Sequence, residues 1–411
     1  MKLLTRLRLK VFGDKRSLPI AVLAGLWIAL VFYAEWYRPL ARLRACNWND
    51  SLDATRVLLL ADPQLIDYNT YPGRSRWLLK LSQTIVDRYL AKNWRAMHKV
   101  LDPDTVVFLG DLFDGGREWE NDVWLDEYER WNNIYPQKPG IRTYMNLPGN
   151  HDIGFGDTVV PAALDRFRAY FGEPSSHHEI GGYTIVFLDT ISMSNTKSPF
   201  IYNPPREFLG NLSTTTNPNL PRILFTHVPL FRPPGSDCGK HRESQMDLPY
   251  SKGYQYVTQT SPELTEFILT QVQPQAVFSG DDHDACHVLH KYGTKSADEF
   301  TVKSCSMAMG IDRPGVQLLS LNGSNGYTTS ICLLAHPFAP FIYYTLAAIA
   351  SMLLLAVRHW PTRNYLPVAE KKVQPLTKYA VVKSMAPETL VLAASWLAAQ
   401  IYISRWIYSS M

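Results

Sequence analysis

The sequence predicts an α/β or α+β domain, a pair of mixed β-sheets covered by helices, held between apolar helices near the two ends of the chain. Three observations predict it. From Arg56 to Ser279, short apolar β-branched runs alternate with amphipathic helical stretches. After Asp284 the alternation stops and only strand patterns follow. Uncharged apolar runs at 18–34 and 335–357 bracket the whole region.

The elements follow in order. Arg56–Ala61 and Thr105–Leu109 are apolar runs, the pattern of buried strands, and Arg142–Leu147, Tyr183–Leu188, Arg222–Phe225 and Ala276–Ser279 are further strands. Leu78–Leu101 is helical, with apolar residues at Leu81, Ile85, Leu90, Trp94 and Met97. Trp119–Ile134, Ala162–Phe171 and Pro262–Val272 are further helices. His287–His290, Glu299–Cys305, Val316–Leu321 and Thr328–Leu333 are the closing strands. Ile191–Pro221, rich in Ser, Thr, Asn and Pro, and Phe231–Gln255, with Pro233-Pro234-Gly235, are expected to be long loops on either side of His227 that form a substrate rim.

The ends are membrane-like. Residues 18–37 and 335–357 are long enough to span a bilayer, and 389–408 is a third candidate. A cleaved signal peptide fits the first run less well, because no small-x-small site follows it. A buried core helix fits poorly, because the run is apolar on every face. Residues 1–16 hold a net +5 and residues 358–388 a net +4, against +4 for the chain, so the remainder is acidic by five. That acidic centre argues against a nucleic-acid partner. The positive-inside rule puts the 1–17 and 358–388 segments in the cytosol and the 50–334 domain on the opposite, lumenal side. Trp36, Tyr37, Trp360, Trp406 and Tyr408 suit interfacial anchoring.

Asn49, Asn211 and Asn322 begin N-x-Ser/Thr triplets, candidate glycosylation sites in that compartment. Five cysteines are too few for a disulfide framework. Cys46 and Cys332 lie near the membrane; Cys238 is a candidate partner for Cys286, with Cys305 equally available.

Five short motifs follow strands: Asp62-Pro63-Gln64, Gly110-Asp111-Leu112-Phe113-Asp114, Gly149-Asn150-His151-Asp152, Thr226-His227 and Gly280-Asp281-Asp282-His283. Open α/β sheets place ligands at strand ends. Each motif alone is more often a turn or a core histidine. Together they supply carboxylates, amides and imidazoles for two divalent ions, which phosphate-ester hydrolysis uses to activate water and neutralise phosphoryl oxygens.

The five motifs resemble those of the calcineurin-like metallophosphoesterase superfamily (D-x-H, G-D-x-x-D, G-N-H-[DE], H and G-H-x-H) over residues 58–321. The resemblance implies a four-layer sandwich of two mixed sheets flanked by helices. It implies that Asp62 and His283 hold one metal, that Asp111 bridges, and that Asn150 and His227 hold the other. His151 would stabilise the transition state and protonate the leaving oxygen, with Asp152 orienting its ring and Asp114 behind the ligands. Gln64 and Asp281 stand where the pattern has histidines; both still offer oxygen and are counted as ligands. Oxygen in place of imidazole favours Mn²⁺, with Mg²⁺ or Zn²⁺ as alternatives.

Asp-Pro-Gln and Gly-Asp-Asp-His-Asp look like the fungal branch that removes ethanolamine phosphate from mannoses of GPI anchors, which supports ER-to-Golgi transport of GPI-anchored proteins. That implies a multi-pass protein of the endoplasmic reticulum or Golgi membrane with a lumenal site, acting on GPI glycolipid or GPI-anchored proteins. Alternatives are a metallophosphatase acting on another lipid or protein phosphoester, and an inactive membrane receptor or cargo adaptor. Arg74, Arg76, Lys240, His241 and Arg242 are candidates for substrate contact or solvated charges. His177, His178, His287 and His290 are expected on the surface or in packing.

Overall fold

A computed structural model describes residues 18–50, 53–246, 248–323, 326–360 and 378–409. The basic segments 1–17 and 361–377, and Ser51 and Ser324 of two glycosylation triplets, lie outside the described residues. The chain divides into two compact units, one of residues 1–39 and 338–410, the other of residues 40–337.

In the larger unit, strands β1 (Thr55–Leu60), β2 (Thr105–Phe108) and β3 (Arg142–Tyr144) are parallel neighbours. Two late strands, β12 (Gly315–Leu321) and β13 (Tyr327–Leu333), extend that sheet antiparallel beside β1, giving the order β13-β12-β1-β2-β3. A second sheet has the order β10-β11-β9-β6-β5-β4, built from Ser176–Ile180, Tyr183–Phe187, Arg222–Phe225, Ala276–Ser279, Cys286–Tyr292 and Lys295–Thr301 as β4, β5, β6, β9, β10 and β11. Strands β5, β6, β9 and β11 run parallel. A two-residue pair, β7 (Lys252–Gly253) and β8 (Tyr256–Val257), stands apart.

The alternation of side chains along each strand builds the layers. Val57, Leu59, Val107 and Leu109 of the first sheet pack with Ile185, Phe187, Ile223, Phe225 and Phe278 of the second, forming the core between the sheets. Phe108 faces the other way, onto Trp94, Trp131 and Tyr135 of the covering helices at 76–100 and 121–134. Val186, Leu224 and Val277 face the helices at 199–215 and 262–272. The order is helix, sheet, sheet, helix, the four-layer sandwich expected.

One expectation fails. The 191–221 segment is not a long loop: Thr190–Met193 and Pro199–Thr215 are helical. Pro204 and Pro205 inside a helix cost about 3 kcal/mol or more in isolation. Ile201, Pro205, Leu209 and Leu212 nevertheless form a buried stripe at helical spacing, so tertiary burial overrides the local penalty. Pro199 at the first turn is favourable there. Strand β4 carries no strand pattern in the sequence, because Ser-His-His-Glu has little apolar content at this sheet edge.

Among the described residues, three helices are long and apolar enough to cross a membrane: Pro19–Arg44, Ala339–His359 and Val381–Tyr408. The third is longer than the apolar run at 389–408.

Candidate metal centre

Every motif follows the C-terminal end of a parallel strand: Asp62 after β1, Asp111 after β2, Asn150 after β3, His227 after β6, and Asp281 and His283 after β9. The two sheets therefore deliver all five motifs to one edge. Reversing the chain there requires unusual backbone. Asp62, Gln64, Asp111, Asp281 and His283 have φ of 48°, 40°, 50°, 62° and 62°, a left-handed conformation that non-glycine residues adopt at a cost of about 1 kcal/mol or more each.

The side chains converge into two groups sharing one member: Asp62, Asp111 and His283, and Asp111, His227 and Asp281. Asp111 is thus placed to serve both. His227 Nε2 lies 3.4 Å from Asp111 Oδ1, 3.5 Å from Asp281 Oδ1 and 3.4 Å from Asn150 Oδ1. Its Nδ1 lies 2.7 Å from the Leu109 carbonyl. A carbonyl only accepts, so Nδ1 donates and the Nε2 lone pair is left for a cation. Asn150 is fixed the same way: its amide N–H₂ donates to the Gln255 carbonyl at 3.0 Å, turning Oδ1 toward His227.

The donor set fits divalent cations. Asp62 Oδ2 and Gln64 Oε1 are fully buried and have no hydrogen-bond partner, and such orphaned acceptors are costly unless something positive meets them. Burial raises the Asp62 carboxyl to about 7, with His283 and His227 opposing and Asp111 and Asp281 adding to the rise. Burial alone would lower the His227 imidazole, but Asp111, Asp281 and Asp62 hold it well above its ordinary value. This excess of buried negative charge is what two cations relieve. Bound ions would supply Lewis-acid polarisation of a phosphoryl group. Asp62, Asp111, Asn150, His227, Asp281 and His283 would hold them, and Gln64 through Oε1.

Gln64 has a second role. Its Nε2 donates to Asp114 Oδ1 at 2.7 Å. Asp114 also accepts from the Thr70 hydroxyl, and its Oδ1 lies 3.1 Å from His151 Nδ1. The Asp114 backbone carbonyl lies 2.8 Å from the same nitrogen. Nδ1 therefore donates, and Nε2 is the atom of His151 that carries or releases a proton toward a leaving oxygen.

This corrects the expected role of Asp152. Its carboxylate does not orient the His151 ring. It accepts backbone N–H groups of Gly149 (2.9 Å), Leu112 (3.1 Å) and Phe113 (3.0 Å). Asp152 thus clamps the second motif to the third, and Asp114 orients the imidazole. Thr70 is a site-supporting residue the sequence reading missed. A lone threonine six residues after Gln64 carries no pattern. Asp67, which accepts from Thr70 N, Asn69 N and Trp119 Nε1, fixes the turn that presents it.

The substrate-contact candidates part company. Arg242 pairs with Asp282 at 2.6 Å and Arg232 pairs with the same carboxylate at 3.1 Å, so Arg242 is structural. Lys240 and His241 line a cavity of about 410 Å³ with Cys238, Cys286 and His287. Arg74 stacks on Tyr71 and donates to Ser82 Oγ at 3.0 Å. Cys238 pairs with Cys286, and Cys46 with Cys332, leaving Cys305 buried and free. The first bridge, with Glu243 on Lys303 and the Glu243 and Ser244 amides on Asp284, fastens the 232–244 loop onto the last motif. His290 is buried on Glu299, and His287 stacks on Phe300. Asn49 and Asn211 are exposed, the latter within the 199–215 helix.

A helix-sheet-sheet-helix sandwich whose strand ends carry two carboxylate and imidazole groups around one shared aspartate defines a two-metal phosphoesterase. The model of the calcineurin-like phosphoesterase family matches residues 55–285, and the chain belongs to that family. It is similar to cell division control protein 1 of Saccharomyces cerevisiae, at 43% identity over 84% of this chain and 75% of that one. It is also similar to a metallophosphoesterase 1 homolog of Drosophila melanogaster, at 26% identity over 80% and 90%. Among solved structures, GAP50, the anchor in the inner membrane complex of Plasmodium, matches over 68% of this chain and 84% of that chain, with 16% identity and a TM-score of 0.39. The chain is a metal-dependent phosphoric ester hydrolase.

Proposed function

We propose that this enzyme is a phosphodiesterase, anchored in the endoplasmic reticulum or Golgi membrane with its site in the lumen, that removes ethanolamine phosphate from mannose of GPI anchors. The observation that carries the reading is the pair of departures at the site. Gln64 and Asp281 put oxygen where the wider superfamily has imidazole, and this pair is what the fungal GPI-trimming branch resembles. The 43% likeness to a fungal protein accords with it. Three apolar helices suit a lipid-linked substrate, because they confine enzyme and substrate to one surface. Two disulfides suit an oxidising lumen, and the basic ends suit a cytosolic side.

The same departures favour Mn²⁺ over Zn²⁺. An inactive receptor is the weaker reading, because the ligands are assembled rather than dispersed. Mass spectrometry of GPI glycans from cells lacking the protein tests the proposal. One extra ethanolamine phosphate retained at a defined mannose supports it; an unchanged profile overturns it.

A further inference from the structure

We infer that a cavity beside the Asn150 and His227 side of the metal centre is a binding subsite for a sugar ring on the alcohol side of the phosphodiester. The cavity holds about 490 Å³, a volume typical of small-ligand sites. Two of its walls are tied to metal ligands. The β7–β8 hairpin turns at Tyr254 and Gln255. Gln255 stands at a hairpin tip with φ 58°, yet it is buried. It is buried because the tip lies on the site, where its carbonyl accepts the Asn150 amide at 3.0 Å. Val257 lines the cavity two residues further on, so no more than about 7 Å of chain separates that wall from the residue that holds Asn150. The second tie is Thr260, also in the lining. Its amide donates at 2.9 Å to the carbonyl of Pro229, two residues after His227. The hairpin is held firmly. Thr258 N–H donates to the Ser251 carbonyl, Ser251 N–H donates to the Thr258 hydroxyl, and the Tyr256 ring fills the space a side chain at Gly253 would need. The cavity is thus a fixed neighbour of two ligands, within reach of a substituent on a phosphoryl group held there.

The lining selects the occupant. Phe155, Tyr250 and Phe267 supply aromatic walls, and Tyr250 and Phe267 are 50% and 43% exposed. Lys252 adds a donor, Glu263 an acceptor, and the Tyr250 hydroxyl both. A sugar ring presents an apolar C–H face edged by hydroxyls that each donate and accept, and this mixture meets all of those groups. A hydrocarbon tail would take water from Lys252 and Glu263 and return no hydrogen bond. A second phosphate would meet the Glu263 carboxylate, a like charge.

The subsite rests on the reading that the substrate's alcohol is a mannose. The test uses the full chain in nanodiscs with Mn²⁺ and two diesters, the phosphoethanolamine ester of methyl mannoside and that of ethanol, which differ only in the sugar. The wild type should prefer the mannoside. Tyr250→Ala and Phe267→Ala, both at exposed side chains whose loss leaves the core intact, should each lower the ratio of the two kcat/KM values by about tenfold or more. The loss should fall mainly on KM for the mannoside. Saturation-transfer NMR with methyl mannoside alone gives a second readout: contact with the wild type that both variants weaken. A wild-type preference that both variants keep, with saturation transfer unchanged, overturns the subsite and leaves the mannose reading standing. A wild type without preference for the mannoside overturns both.

Discussion

Replacing Gly149 by alanine isolates the geometry of the shared carboxylate. Gly149 has φ −98° and ψ 171°, ordinary for any L-residue, so alanine adds no backbone strain. The added Cβ would stand 1.9 Å from Asp111 Oδ1 and 2.2 Å from Asp111 N. Real Cβ contacts essentially never fall below 3.0 Å, so the Asp111 carboxylate and its backbone must both shift, by about 1 Å. Such a displacement costs on the order of 10²-fold in rate when it misplaces a reacting centre. It also breaks the 3.0 Å bond from the His151 amide to Asp111 Oδ1. The assay is phosphodiester hydrolysis by the purified full chain with saturating Mn²⁺, alongside metal content and thermal unfolding. The expected result is a folded protein with weakened metal retention and about 10²-fold lower turnover. A Gly149→Ala variant with full metal and wild-type turnover would refute the argument that this contact sets the site.

His151→Ala should keep its metals and lose on the order of 10²–10⁴-fold in turnover, the range for a lost general acid; a wild-type rate would exclude the role. Thr70→Val should lower kcat on the order of tenfold, as expected for loss of one hydrogen bond to a carboxylate, while leaving KM and metal content unchanged. Burial by itself would raise the Glu299 carboxyl, but the His290 hydrogen bond and charge, Arg232 and Ser279 hold it below its ordinary value. A depressed carboxyl contributes stability that is present above its unfolded-state pKa and lost as pH falls through the folded value. Glu299→Ala should therefore unfold more easily at pH 7 by about 3–5 kcal/mol, and its stability should fall less steeply below about pH 4.5 than that of the wild type. Urea titrations at several pH values read both effects.

Much of this was legible in the sequence because buried parallel strands write themselves as continuous apolar runs. Thr105–Leu109 and Ala276–Ser279 need no context to be read, and the residues after them are then at a sheet edge. The motifs after those strands pick out the residues that the structure gathers into two groups, while their division between two ions is what the family resemblance implies. What stayed hidden was conformational or long-range. Positive φ at Asp62, Asp111 and Asp281 is a property of the turn, not of the residue type. The exchange of roles between Asp114 and Asp152 depends on which carboxylate meets backbone amides 39–40 residues away in sequence. The 199–215 helix was hidden by its own prolines, because propensity speaks against a helix that packing makes stable.

The central claim is that Asp111 lies between two divalent ions. Crystals of the full chain grown with Mn²⁺ and measured at the manganese absorption edge test it directly. Two anomalous peaks are expected within coordination distance of the Asp111 carboxylate, one beside Asp62 and His283 and one beside His227, Asn150 and Asp281. A single peak, or peaks that do not share Asp111, would contradict it.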